Sequence, residues 1–414
     1  MGFGHIHVHT EYSLLDGAGR IKEVLERAKE LGQSFIAITD HGSMSGLYLA
    51  QKIGKEIGIK VLMGCEFYYQ RENDGENGHL IVIAKSQKGL ENMLKMMEFA
   101  YVDNFYKKPR ITWDILQKYS SDLIVTSACL ASTINQHIMK GEIHEAKEWA
   151  RKFKSVFGND FYLEIQPNSI PEQLIANQTI VRIAKEVDCK IIAANDIHYV
   201  LKSDAFAHEV LLALQINKKM SDEKRWRFDT QDFWLKSYEE MCSTFTGVSP
   251  EDVRVACENT QEIADKCNAE FIKGHYLPSF YDVPEGESER SLLVKHTIEG
   301  ARREGISKDK EFMHEVQNEI DVIDRNGYSG YFLIVGDYVN TARRNGVIVG
   351  DGRGSGAGSK VAWLTEITKI PPHHYDLLFE RFLADGRQPD SIESSVIEIC
   401  HVKFGERLVS GVHL

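Results

Sequence analysis

The sequence predicts an α/β protein whose first part, up to about residue 200, closes into a barrel. Three observations lead there. Short apolar runs rich in Ile and Val recur at 4–9, 34–39, 60–69, 80–84, 122–127, 161–165 and 190–194, as strands buried on both faces do. Amphipathic helix patterns lie between most of them. Seven strands that all need partners are better served by a closed ring than by an open sheet.

The helix pattern at 20–31 puts Ile21, Val24, Leu25 and Ala28 on one face. Others fall at 44–57, 88–100, 143–157 and 171–187. After about residue 204 the alternation gives way to helices at 204–215 and 250–267. The stretch HYLPSFYDVPEGES (275–288) is broken by Pro and Gly and has no helical period. We therefore expect two domains, 1–275 and 276–414, the second opening with helices at 289–304 and 308–325.

The chain has 414 residues, 43% of them hydrophobic, which allows a sizeable core. Its net charge of −12 argues against a protein held to nucleic acid mainly by neutralising phosphates. It does not argue against an enzyme whose bound cations reverse the local field. No apolar run approaches the ~18 residues of a membrane span, and the N-terminus lacks a basic, apolar leader. Seven cysteines, none in a Cys-x-x-Cys pair, point to a reducing cytoplasm rather than a disulfide framework.

Candidate metal ligands stand at nearly every strand end: His7, His9, Asp16, His41, Glu66, His79, Cys129, Asp196 and His198. Residues i and i+2 of a strand share a face, so His7-x-His9 and Asp196-x-His198 can each serve one pocket. The C-terminal ends of parallel strands converge on one rim. His79 precedes its predicted strand, so either that strand runs against the others or a loop delivers the residue. Taken singly, each has an ordinary explanation: Cys129 as a small buried residue, Asp16-Gly17 as a turn, Thr39-Asp40 as a helix cap. Ionisable groups at almost every strand end have no such explanation, because buried charge is costly unless paired or metal-bound. Imidazole, carboxylate and thiolate together suit zinc, manganese or iron. Nine ligands exceed the needs of one ion and fit two or three bridged by carboxylates, the arrangement that clamps a phosphoryl transfer.

The motifs HVHTEYSLLDG, AITDHGSMSGL, GCEFYY, GHLIVIAK, SACL and NDIHYV resemble those of the PHP (polymerase and histidinol phosphatase) domain. More narrowly, with FYKKPRI (105–111), AHEVLLALQ (207–215), RWRF (225–228) and YEEM (238–241), they resemble the bacterial replicative DNA polymerase III alpha family. The resemblance implies a distorted seven-stranded PHP barrel and a metal set made of the nine residues named above. It also implies a 3′–5′ exonuclease of proofreading type acting on single-stranded or frayed DNA 3′ ends. The attacking group would be a metal-bound water, with no separate catalytic side chain. Arg110, and behind it Lys108, are candidates for the scissile phosphate.

Residues 326–383 resemble the start of that family's α+β palm. The loop carrying Arg353, Gly354, Ser355 and Ser359 would be its triphosphate site, in vestigial form. The family's alternating carboxylates should follow Pro389. Here Asp390 is followed at the in-phase positions by Ile392 and Ser394, and Glu393 is out of phase. The chain on its own is therefore expected not to polymerise DNA. Two alternatives stand beside the exonuclease. One is a non-catalytic structural or binding subunit, or the first piece of a split polymerase completed by another chain, with other replication proteins as candidate partners. The other is a small-molecule phosphatase of the histidinol-phosphatase type.

Overall fold

The computed structural model describes residues 2–71, 77–272, 279–352 and 354–384. It divides into two compact units, Met1–Ile272 and Lys273–Leu414.

The first unit is built on a curled mixed sheet of eight strands: β1 (Phe35–Ile38), β2 (Lys60–Gln70), β3 (Asn77–Ala84), β4 (Phe105–Tyr106), β5 (Lys108–Ile111), β6 (Leu123–Thr126), β7 (Phe161–Ile165) and β8 (Lys190–Ala193). β1 lies parallel to β2, and β6, β7 and β8 are parallel to one another. β3 alone runs against both of its neighbours, β2 and β6. Its first residues therefore sit at the rim where the other strands end. That settles the question raised by His79, which lies inside β3, opposite Tyr68.

The predicted strand at 4–9 is an extended seam rather than a regular strand. On one side His5 and Val8 carbonyls accept from the amides of Ala37 (2.8 Å) and Thr39 (2.9 Å). On the other, the His9 amide donates to Ile197 (2.8 Å) and the Ile197 amide to His7 (3.1 Å). These bonds join β1 to the stretch after β8, so seven strand positions meet in a ring. The regular ladder is interrupted because the Val8 amide is taken by the Thr39 hydroxyl at 2.8 Å. The β4–β5 hairpin, not predicted as strands, extends the far end of β2 through Tyr68 opposite Arg110.

Period-two alternation divides the apolar residues of the strands. Ile36, Ile38, Val82, Val125, Leu163 and Ile191 belong to the large core shared with the surrounding helices. That core also receives Ile21, Val24, Leu25 and Ala28 from helix Ile21–Glu30, the face read from sequence. The opposite faces supply a second cluster that includes Leu62, Ile81, Ile83, Ile124, Tyr162, Ile192 and Ala194. Followed towards the rim, this face changes character. Leu62 leads by steps of two to Glu66, Ile83 and Ile81 to His79, and Ala194 to Asp196. The same alternation that builds an apolar floor thus places ionisable groups above it.

The described part of the second unit is helical. Helices Glu289–Arg303, Lys310–Arg325 and Ser329–Arg344 pack with the short helix Lys360–Leu364 around Leu293, Val316, Ile320, Phe332, Val361 and Leu364. The palm carboxylate positions, 390–394, and the helix expected after them lie outside the described residues.

The seam tolerates no side chain at Gly4, where a Cβ would stand 2.3 Å from the Phe35 carbonyl oxygen. Gly4→Ala should destabilise the first unit by about 1–3 kcal/mol through overpacking. A fall in its urea midpoint would show this, and an unchanged midpoint would mean the seam is not under that constraint.

Candidate metal centre

All nine predicted ligands come together at the barrel rim. Glu66, on β2, is the hub. Its Oε1 lies 3.4 Å from His7 Nε2 and 3.0 Å from His79 Nδ1, and its Oε2 lies 3.3 Å from His9 Nε2 and 2.7 Å from His41 Nδ1. Asp196 Oδ1 stands 3.1 Å from His7 Nε2 and 3.2 Å from His9 Nε2. Asp16 Oδ2 reaches His41 Nε2 at 3.0 Å and His198 Nε2 at 3.4 Å. Cys129 Sγ lies 3.4 Å from His79 Nδ1 and 3.7 Å from Glu66 Oε1.

Three overlapping groups have donor atoms within 4.8 Å of one another: His7, His9 and Glu66; His9, His41 and His198; His41, Glu66 and His79. Glu66 belongs to two of them, as a bridging carboxylate would. The atoms themselves fit cations. His7 Nε2, His9 Nε2, His41 Nδ1, Glu66 Oε2 and Asp196 Oδ1 are buried and face one another at ion-pair distance without a hydrogen bond of good geometry. Polar atoms left so in a protein interior are rare and call for a partner of another kind.

The tautomers are set from behind. His7 Nδ1–H donates to Glu164 Oε1 at 2.7 Å, and His198 Nδ1–H to the Asp196 carbonyl at 2.7 Å, which turns both Nε2 lone pairs inward. Ser13 gives its hydroxyl proton to Asp40 (2.7 Å), so its oxygen accepts from His9 Nδ1–H at 3.0 Å. Lys236, fully buried against Trp234, donates to Asn195 Oδ1 at 3.0 Å and steadies the turn that carries Asp196. Such outer partners orient ligands and raise their basicity.

Sequence reasoning missed Glu164, and with it the roles of Ser13 and Asp40. Glu164 was findable: it is the one carboxylate within the apolar run FYLEI of β7. It is 1% exposed and also accepts from Thr126 Oγ1 and Gln166 Nε2, both at 2.8 Å.

Electrostatics show what the ion-free pocket does. Burial alone would raise Glu66, Asp16 and Asp196, yet the facing imidazoles hold all three well below the usual carboxylate range. Burial likewise opposes charge on His41, but Glu66 and Asp16 push it up to about 10. His7 is raised by Glu164, Asp196 and Glu66 against the same opposition. His9 goes the other way, to about 3, under burial and the neighbouring His41 and His198. Protons thus occupy the places that cations would take. Burial, with Glu66 and Asp196 nearby, keeps the Cys129 thiol protonated, whereas a coordinating thiol gives its proton up.

The predicted phosphate contacts are more scattered. Arg110 is held by Asn104, with its guanidinium over the Tyr106 ring at 5.4 Å. Lys108 stands nearer the ligands, its Nζ 5.1 Å from the centre of the Tyr68 ring, which stacks on His41. In the second unit, Gly354 and Ser355 are exposed, and Arg353 lies outside the described residues. Ser359 is fully buried: it caps Ala362 and gives its hydroxyl proton to Glu319 at 2.9 Å. Glu319 also accepts from the amides of Lys360 and Val361, so a carboxylate of this chain already fills that helix end. This corrects the expectation that Ser359 faces a nucleotide.

A barrel bearing buried His, Asp, Glu and Cys at one rim is a candidate metal centre, and residues 5–168 match the family described as "PHP domain". Residues 291–406 match "Bacterial DNA polymerase III alpha NTPase domain". The chain is a homologue of bacterial DNA polymerase III alpha subunits. It is 38% identical to that of Aquifex aeolicus and 41% identical to that of Borreliella burgdorferi, over 99% of its own length in each case. It spans only 38% and 37% of those relatives. A histidinol phosphate phosphatase from Lactococcus lactis aligns over 48% of this chain and 86% of its own, at 14% identity and a TM-score of 0.26, too low to carry any argument about the site.

Two outcomes follow. Ligation requires neutral imidazole and thiolate, so loading the ion-free protein with zinc at about pH 7.5 should release more than one proton. Apparent affinity should rise with pH towards the His41 value of about 10. Calorimetry in buffers of different ionisation enthalpy reads the release, and a buffer-independent heat would contradict it. Glu164→Gln should weaken metal binding by about 10–100-fold while leaving the fold intact, as checked by chelator competition.

Proposed function

We propose that the first unit is a metal-dependent phosphodiester hydrolase acting on DNA 3′ ends, a 3′–5′ exonuclease, holding two or three divalent ions (zinc, manganese or iron). The observation that carries this reading is the set of buried donor atoms on His7, His9, His41, Glu66 and Asp196 that converge without a hydrogen bond of good geometry. Ions held there would supply a nucleophile at neutral pH and neutralise charge on the phosphoryl oxygens.

The chain's own residues do the rest. Glu66 would space the ion positions, because it stands between imidazoles on different segments, and Asp196 faces the His7 and His9 pair. Asp16, His41 and His79, 14%, 15% and 19% exposed at the side chain, form the open side of the pocket, where a phosphate can enter. Glu164, Ser13 and Asp40 fix ring orientation, so little reorganisation accompanies reaction. In the same proposal the second unit takes no part in nucleotide addition by itself, since Ile392 and Ser394 stand where carboxylates would hold ions.

Protein purified, stripped and reloaded with manganese or zinc should shorten 5′-labelled single-stranded DNA one nucleotide at a time from its 3′ end. His9→Ala and Asp196→Asn should each lower that rate by on the order of 100-fold or more, at least the scale reached by removing an outer partner of a ligand. Ion-loaded protein that hydrolyses neither DNA nor a small phosphate ester would overturn the hydrolase reading. Hydrolysis of the small ester alone would overturn the DNA assignment and favour a small-molecule phosphatase.

A further inference from the structure

The β4–β5 hairpin has a composition that its place in the fold does not explain. Tyr101, Phe105 and Tyr106 are more than half exposed, at 51%, 55% and 61%. The Tyr101 and Phe105 rings stack with centroids 6.0 Å apart, and Tyr106 follows Phe105 in the same short strand. Large rings gathered on a surface mark a binding site more often than scattered apolar residues do. Three cations are interleaved with them. Lys107 Nζ lies 5.4 Å from the centre of the Tyr106 ring, Arg110 shares that ring at 5.4 Å, and Lys108 covers Tyr68 at 5.1 Å. In a chain of net charge −12, this is a local concentration of positive charge.

Tyr101, at the end of the helix Gln87–Val102 that leads into the hairpin, ties this patch to the candidate metal centre. Tyr101 donates its hydroxyl proton to the Gly42 carbonyl at 3.0 Å, one residue after the ligand His41. Gly42, at φ +52°, leaves so little room that a Cβ there would stand 2.8 Å from Pro109 and 3.3 Å from Tyr68. Tyr68 in turn stacks on His41 with 5.7 Å between ring centres and 14° between planes. A chain of contacts thus links the exposed rings and basic side chains to His41 at the rim.

We propose that this hairpin is a docking platform for the unpaired bases of single-stranded nucleic acid. Phe105 and Tyr106 offer ring faces to bases, while Lys107, Lys108 and Arg110 follow the phosphates towards the rim. Aromatic faces with basic neighbours are how proteins hold single strands without reading their sequence, since every base presents a π-face. A duplex, whose base faces are already stacked, would gain nothing from the rings. The proposal rests on the hydrolase reading only for what happens to the strand after it docks.

The test separates the two. Fluorescein-labelled oligothymidylate is titrated with the full chain after the ions have been chelated, and binding is read by anisotropy. Phe105→Ala/Tyr106→Ala should bind about tenfold more weakly, with an unchanged far-ultraviolet circular dichroism spectrum and melting curve. An abasic oligonucleotide of equal length should bind the wild-type chain about as weakly as oligothymidylate binds that double variant. Lys107→Gln/Lys108→Gln should reduce the salt dependence of binding. Affinity unchanged in the aromatic double variant, or equal binding of abasic and base-bearing strands, would overturn the proposal. So would the absence of measurable binding by the wild-type chain, which would leave the surface to a protein partner. If the platform variants behave as expected while the loaded protein cuts no DNA, the platform stands and the hydrolase reading falls.

Discussion

Carboxylates buried in the mouth of a barrel are the constraint on which the rest of the first unit turns. Glu66 is 1% exposed and faces four imidazoles; Asp196 is 7% exposed and faces three. A buried charge without a partner costs several kcal/mol. In the ion-free pocket protons on His7 and His41 balance the carboxylates while His9 stays neutral, and bound cations would take over that balance. Outer partners hold the rings of His7, His9 and His198 in place independently of any ion. That is why Glu164, Ser13 and Asp40, none of them a ligand, matter to the arrangement.

The backbone meets this constraint with one reversed strand. Had β3 run parallel to its neighbours, its rim end would be Ala84 and the ring would lack an imidazole beside Glu66. Reversed, it brings His79 to 3.0 Å from Glu66 while Ile81 and Ile83 continue the apolar floor. The seam at 4–9 answers a similar demand. By bonding both to β1 and to Ile197, it closes the ring and carries two ligands across the joint. The pocket is thus assembled by chain closure, and unfolding at the seam would disperse it.

That the nine candidate residues gather at one rim was legible in the sequence, because their positions follow strand ends. Seven strand positions were legible for the same reason: buried strands leave apolar runs. What was not legible depends on contacts between segments. Glu164 becomes meaningful only when β7 is placed beside the first segment. The seam reads as a strand but loses its ladder to the Thr39 hydroxyl. Ser359 reads as a phosphate ligand in the sequence, but in the fold its hydroxyl is engaged by Glu319, forty residues earlier.

Comparison with curated relatives places the chain among DNA polymerase III alpha homologues without saying what its own rim does. The direct test is to see the ions. Anomalous diffraction from crystals of the metal-loaded protein should show two or three ions at the rim, with Glu66 bridging at least one pair and Asp196 coordinating. A single ion, or ions that leave Glu66 outside coordinating distance, would contradict the account.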